Sequence, residues 1–289
     1  AMLWGALAQS APDIDFLGAF WLSTDENLLA HRGFTHSILF ALLISPVLAL
    51  VAEKIHRPRN IRFSKWLLFF ATEVFLHLLL DGFNNYGVGW FEPFSHYRIS
   101  FNAIYVADPL FSVWAGIAII MLFSLHSYHP RRRFWWRFGV FIPFLYLGLC
   151  VVNKIKIDSD LKENLQQQHI AYTRYFTTPA PFTNLLWYAV AGNDSGYHVG
   201  FRSVFDGRQQ TDFTYFPRND SLLKSVADHE ALQHLIRFSQ QFYTVEQWSD
   251  TLVFNDLRFG QMMGWQDPKG KFVFHYILNH PEDNTLVVQ

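Results

Sequence analysis

FTHSILFALLISPVLALVA, residues Phe34–Ala52, contains no Lys, Arg, Asp or Glu over 19 residues. As a helix it extends about 28 Å at 1.5 Å per residue, close to the ~30 Å hydrocarbon thickness of a bilayer. Further along lie Trp66–Leu80, Pro109–Tyr128 and Phe138–Asn153, each of 15 to 20 residues and nearly free of charge. A spanning helix needs roughly 20 residues and at least about 17, so 34–52 and 109–128 meet the length and the other two are short for it. Buried core helices of a soluble protein are the plain alternative. Four such stretches within 120 residues argue for the membrane.

The charges between these stretches alternate. Residues 53–65 hold Lys54, Arg57, Arg59, Arg62 and Lys65, and 126–137 hold Arg131, Arg132, Arg133 and Arg137. Residues 1–33 hold only Arg32, and 82–108 only Arg98. Four consecutive spans produce this alternation, and the positive-inside rule places the two basic loops in the cytoplasm. Residues 1–33, the loop 82–108 and everything after residue 153 then face outward. Trp135 and Trp136 beside the arginines fit an interfacial aromatic belt.

Composition excludes several classes. Charged residues are 16% of the chain and aromatics 18%, against about 25% charged in a soluble domain. So many aromatics exclude a disordered chain. One cysteine, Cys150, excludes a disulfide framework and a thiolate zinc site. A net charge of −1 gives no electrostatic case for nucleic acid, so membrane lipids are the partners expected. From Lys154 the character changes: 12 Lys/Arg, 15 Asp/Glu and no long apolar run. Residues 158–173 read as a polar helix. Leu222–Phe238 reads as an amphipathic helix with Asp220 or Ser221 as N-cap. Residues 197–205, 211–216, 251–254 and 271–278 read as strands. The sequence therefore predicts two units. Residues 1–153 form a mainly α, polytopic membrane domain of about four spans plus a short N-terminal helix. Residues 154–289 form a small α+β domain with an antiparallel sheet, outside the cytoplasm.

Ionisable residues at the edges of apolar stretches are costly in a bilayer and point to function. Asp13 and Asp15 follow Pro12, where turn residues and metal ligands are alternative readings. His31 and His36 flank the entry to the first apolar run, with Thr35 and Ser37 beside them as supporting hydrogen-bonding groups. Glu73, His77 and Asp81 recur at intervals of four, which puts neighbours on one helical face. Asp81 either orients His77 or binds a metal with it, and a helix C-terminal cap before Gly82 is the plain alternative. Asp108 before Pro109 is either a further ligand or an N-cap. By the charge argument Asp13, Asp15, His31, His36, His77, Asp81 and Asp108 all reach the outer face. Carboxylate oxygens with imidazole nitrogens suit Zn²⁺ first, with Mn²⁺ or Fe²⁺ as alternatives. Seven ligands exceed the four of one tetrahedral zinc and point to two ions clamping a hydrolysed group. Glu73 joins the supporting groups from spacing alone.

The set Pro12-Asp-Ile-Asp15, His31-Arg-Gly-Phe-Thr-His-Ser37, His77-Leu-Leu-Leu-Asp81 and Asp108-Pro109 resembles the YdjM-type inner-membrane family of metal-dependent hydrolases, also described as LexA-binding. The heptad at 31–37 is its most specific part. The resemblance covers residues 1 to about 150 and implies a bacterial inner-membrane location, hydrolase activity and a metal on the seven residues above. It also implies a further short helix ahead of residue 1. Trp187 and the run Asp256–Gly260 resemble longer members. A site at headgroup level then predicts an amphiphilic ester or phosphoester substrate. The loop 82–107, with Phe83, Trp90, Phe91, Phe94, Tyr97 and Phe101, is either a lid over the site or an interfacial anchor. Two other functions compete: a non-enzymatic membrane protein with a structural metal and a ligand- or partner-binding outer domain, and an ion relay through Glu73 and His77.

Overall fold

A computed structural model describes residues 2–56, 61–207, 209–226, 229–249, 251–278 and 287–288. Arg57 and Arg59 of the first basic loop lie outside the described residues. Helix α1 (Met2–Ser10) leads into a 3-10 segment at Pro12–Phe20, where Pro12 supplies a fixed φ at the first turn. Helix α2 (Thr24–Ala30) starts at a capping box: Ser23 accepts from the Glu26 N–H while the Glu26 carboxylate accepts from the Ser23 N–H. Then come α3 (Ile38–Ile55), α4 (Phe63–Asp81), α5 (Pro109–Ser124) and α6 (Arg132–Gln167).

Among the described residues α3, α4 and α6 are long and apolar enough to cross a membrane. The stretch 109–128, expected with 34–52 to be long enough to span, is the short one, because α5 stops after 16 residues. Arg132 caps that end through its guanidinium, bonded to the carbonyls of Leu122 and Leu125. The apolar run at 66–80 is lengthened at both ends into a 19-residue helix. Residues 158–167 do not start a new helix but continue α6, which is 36 residues long.

Helices α3 and α4 pack through small residues on one side and large ones on the other. Ala41, Ala49 and Ala52 meet Trp66, Phe70, Val74 and Leu78, all buried. Small side chains let two helices approach closely where lipid offers no hydrophobic drive for association. Helix α1 lies across this pair: Trp4 meets Trp66 and Phe70 edge-on, and Gln9 donates to the Glu73 carboxylate at 2.8 Å. Glu73 thus anchors one helix to another.

The second part contains two antiparallel sheets where one was expected. Strands β1 (Arg174–Pro179), β2 (Leu186–Asn193), β3 (Gly196–Ser203) and β4 (Phe213–Pro217) form a meander. Strands β5 (Tyr243–Trp248), β6 (Thr251–Gln261), β7 (Phe272–Leu278) and β8 (Val287–Val288) form the other. Their inner faces share a core of Phe176, Tyr188, Val190, Tyr197, Val199, Leu257 and Phe272. The expected helix at 222–238 is a 3-10 turn at Asp220–Ser225 followed by α7 (His229–Phe238). Asp220 is not its N-cap, because its carboxylate accepts from Arg218 Nε at 2.9 Å. The distal half of α6 buries Ile157 and Leu161 against Trp187 and Ala189 of β2, tying the sheets to the helices.

Candidate metal centre

The entry to α3 and the exit of α4 lie at the same end of an antiparallel pair, and the polar residues meet there. Ser37 caps α3 by accepting from the Phe40 N–H, so His36 sits just before the helix and is fully buried. His77 and Asp81 share one face of the last turn of α4, as their spacing of four requires. The 3-10 segment brings in Asp13. One ligand atom from each of Asp13, His36, His77 and Asp81 lies within 4.8 Å of all the others.

Donors about 2.0–2.1 Å from a tetrahedral zinc stand about 3.3 Å apart. Here His36 Nε2 and His77 Nε2 are 3.3 Å apart, and His36 Nε2 lies 3.4 Å from both Asp13 Oδ1 and Asp81 Oδ2. His77 Nε2 is 3.6 Å from the same two oxygens. Two imidazole nitrogens facing each other share at most one proton. The buried Asp81 Oδ2 receives no aligned hydrogen bond. Such a donor set fits a divalent ion that would complete all four groups at once.

Asp15 serves the group from behind. It accepts from the Arg32 N–H at 2.7 Å and from Thr35 Oγ1 at 3.3 Å, and His31 Nδ1 and His36 Nδ1 each lie 3.3 Å from its oxygens. A carboxylate on Nδ1 leaves Nε2 of His36 turned toward the group, the usual carboxylate–histidine support of a metal site. Burial opposes ionisation of Asp15, but bonds from His31, His36 and the Arg32 N–H outweigh it and hold its carboxyl well below the usual range. Hydrogen bonds with His36, then His77, hold Asp13 low as well. Burial lowers the pKa of His36, but bonds to Asp13, Asp15 and Asp81 override it and push the value up to about 10. Without an ion, a proton on His36 offsets the carboxylates.

Not all the expected residues join this group. His31 touches Asp15 and the edge of Tyr86 instead of the four donors. Asp108 caps α5, accepting from the Leu110 and Phe111 N–H groups and from the Tyr146 hydroxyl. Glu73 is engaged by Gln9, and Ser37 by the α3 cap.

Three residues were not singled out from sequence. Arg32 places Nε 3.2 Å from Asp81 Oδ2 and donates through Nη1 to Asn84 at 2.8 Å. Its backbone is left-handed, φ +56°, a conformation that costs a non-glycine residue on the order of 1 kcal/mol and is retained where surroundings enforce it. The Asp15 bond to its N–H and a 2.9 Å bond from the Gly89 N–H to its carbonyl do so. At Gly33 a Cβ would stand 2.9 Å from the Ala30 carbonyl, so glycine is needed for the turn between the histidines. The buried Arg98 donates to the carbonyls of Leu29 and His31, fixing the turn from below. An arginine between two histidines is visible in the sequence, but only the turn shows it meeting Asp81.

The loop after α4 is pinned. Phe101 N–H donates to Gly82 O, Ala103 N–H to Phe83 O, and Trp90 Nε1 to Leu78 O. Phe94 (85% exposed), Tyr97, Phe16, Phe20 and Trp21 face outward around the same end of the helices. The second part docks there too: His234 Nδ1 lies 2.6 Å from Asp25 Oδ2, Asn85 donates to Arg258 O and Asn184 to Ala103 O.

A profile of the YdjM inner membrane protein matches residues 1–157, which include every residue of the four-donor group. The chain belongs to the YdjM inner membrane protein family. It is 33% identical over 96 residues to "Inner membrane protein YbcI" of Escherichia coli (strain K12), a match covering 32% of this chain and 54% of that protein. It is 34% identical over 160 residues to "Uncharacterized protein YfhP" of Bacillus subtilis (strain 168), covering 54% of this chain and 46% of that one. The matched parts thus span about half the length of these curated relatives. No solved structure matches the chain. In this YdjM-family chain the two sheets lie beyond the profile, which ends inside α6.

Proposed function

We propose that this YdjM-family protein is a multi-pass bacterial inner-membrane, metal-dependent hydrolase whose site faces outward and acts on an amphiphilic ester or phosphoester. The convergence of two imidazoles and two carboxylates at tetrahedral spacing carries this reading. Asp13, His36, His77 and Asp81 would hold a divalent ion, zinc first by donor type, which would supply Lewis acidity for an ester or phosphoryl oxygen and for water. The chain's own residues set the approach. Asp13 is the open donor, its side chain 51% exposed, whereas His36 is fully buried, so a substrate reaches the group from the Asp13 side. Arg32, held against Asp81, adds a fixed positive charge beside it. The outward aromatics around that end would seat an amphiphile's apolar part in the interface. The four-donor group accounts for one ion. A two-ion centre would also recruit Asp15 and His31, which already meet at 3.3 Å.

One observation favours a second reading. Four protein donors complete a tetrahedral zinc, the usual state of a structural site. Metal analysis of the purified protein, followed by chromogenic acyl esters, phosphomonoesters, phosphodiesters and phospholipids in detergent, separates the two. Hydrolysis that chelation abolishes and zinc restores, and that Asp13→Ala removes, is expected. Full ion occupancy with no turnover on any of these substrates would establish the structural reading.

A further inference from the structure

At the basic end of the helices, the start of α6 presents an open groove of about 970 Å³. Arg133, Arg137, Phe141 and Phe144 line it, and their spacing of four, four and three sets them in one stripe along the helix. The stripe is ordered by depth. At 1.5 Å per residue, Phe141 lies about 6 Å and Phe144 about 10 Å beyond Arg137, toward the middle of the apolar span. Both arginines are exposed, and Phe141 and Phe144 are 65% and 45% exposed. Beside them the rings of Phe134 and Phe138 stack at 5.9 Å and continue the apolar wall.

The charges select what covers this face. Arg132, one position earlier, commits its guanidinium to the carbonyls of Leu122 and Leu125. Arg137 instead lies over the Trp136 ring at 5.6 Å, and among the described residues neither it nor Arg133 has a carboxylate partner. The sequence supplies little to neutralise them: Glu53 is the one acidic residue in the two basic loops, 53–65 and 126–137. Guanidinium groups pair strongly with phosphate oxygens. A soluble anion would leave the phenyl stripe below the arginines uncovered. A second copy of the chain, docked symmetrically on the same stripe, would bring four unneutralised arginines together. A ligand with a negative head and an apolar tail matches both halves of the stripe.

We infer that this stripe of α6 is a binding site for an anionic phospholipid, with the phosphate on Arg133 and Arg137 and an acyl chain along Phe141 and Phe144. The test uses the full-length protein in a neutral detergent, titrated with phosphatidylglycerol and with phosphatidylcholine of the same chains. Native mass spectrometry counts the bound lipid. Phosphatidylglycerol should bind about tenfold more tightly, the scale expected of two basic residues at a membrane surface. Arg133→Gln/Arg137→Gln changes two exposed side chains and should remove that preference with the thermal transition retained. Arg131→Gln alters a neighbouring charge outside the groove and should keep it. Equal affinity for the two lipids in wild type overturns the inference without recourse to any variant. An undiminished preference in the double variant overturns it too, and so does an equal loss in Arg131→Gln, which would reduce the effect to the general charge of this end. A dimer that phosphatidylglycerol fails to dissociate, and that Phe141→Ala does dissociate, would reassign the face to a second copy.

Discussion

At the scale of single residues, the centre is governed by competition between a proton and an ion for His36. Its pKa of about 10 in the ion-free protein means that an ion must displace a proton from it throughout the neutral range. Metal affinity should therefore keep rising as pH increases through neutrality toward about 10, instead of levelling above an ordinary histidine value of 6.5. Chelator competition between about pH 6 and 9 should give this slope for wild type and a flatter one for His36→Gln. Equal slopes would remove His36 from the donor set. Stability of the ion-free protein has its own sign. The raised His36 contributes fully below 6.5 and loses its contribution as pH rises toward about 10. Asp13 and Asp15, both lowered, contribute above 3.8 and lose their contribution as pH falls below it. The ion-free protein should accordingly melt highest between about pH 4 and 6.5. Asp15→Asn keeps the shape of the side chain but weakens its hold on His36 Nδ1. It should cost about 10–100-fold in metal affinity with the fold intact, as loss of a supporting carboxylate does. Unchanged affinity would mean that Asp15 only ties the turn at Arg32.

At the scale of elements, much was legible where periodicity and charge act locally. The spacing His77/Asp81 put both on one face of α4, and the apolar runs located α3 to α6. Asp108 reads either as a cap or as a ligand and Ser37 only as a supporting group, and the structure shows both capping helices, since a helix start leaves N–H groups that a nearby carboxylate or hydroxyl satisfies. Other features depend on distant partners and leave no local mark. β1, β2 and β5 were missed because their residues alternate weakly and are buried on both faces, as in β2 with its run of buried Trp187–Ala191. The continuity of α6 past residue 153 was missed because its apolar and polar halves look like separate helices. The pairing of α7 with α2 through His234 and Asp25 is likewise invisible along the chain. That contact is mostly buried and short, at 2.6 Å. Burial opposes ionisation of Asp25, but the His234 bond outweighs it and lowers the carboxyl pKa. His234→Ala leaves Asp25 short of a partner and should lower stability by about 1–3 kcal/mol. Thermal unfolding in detergent measures it, and an unshifted transition would show that the sheets are held at this face by Asn85, Asn184 and α6 alone.

At the scale of the whole molecule, the two ends of the helices differ in chemistry. One carries Asp13, His36, His77, Asp81, the outward aromatics and the docked sheets. The other carries the start of α4 with Arg62 and Lys65, the capped end of α5 and the arginines that open α6. Because α3 pairs antiparallel with α4 and α5 with α6, neither end can change sides without the rest. The positive-inside rule assigns the basic end to the cytoplasm, so the metal group and both sheets should face outward together. Fusing alkaline phosphatase or a fluorescent protein to the C-terminus tests this, because the first is active only outside the cytoplasm and the second fluoresces only within it. The expected result is an active phosphatase and a dark fluorescent fusion. The reverse would turn the metal centre inward as well, since His234–Asp25 and Asn85–Arg258 join it to the sheets on one side. The hydrolase reading would then require a substrate in the inner leaflet. Lysine substitutions for Arg131, Arg132 and Arg133 should leave the orientation unchanged, because the rule counts positive charge of either kind. Their replacement by Gln should weaken it, which ties the result to charge and not to the arginine cap on α5.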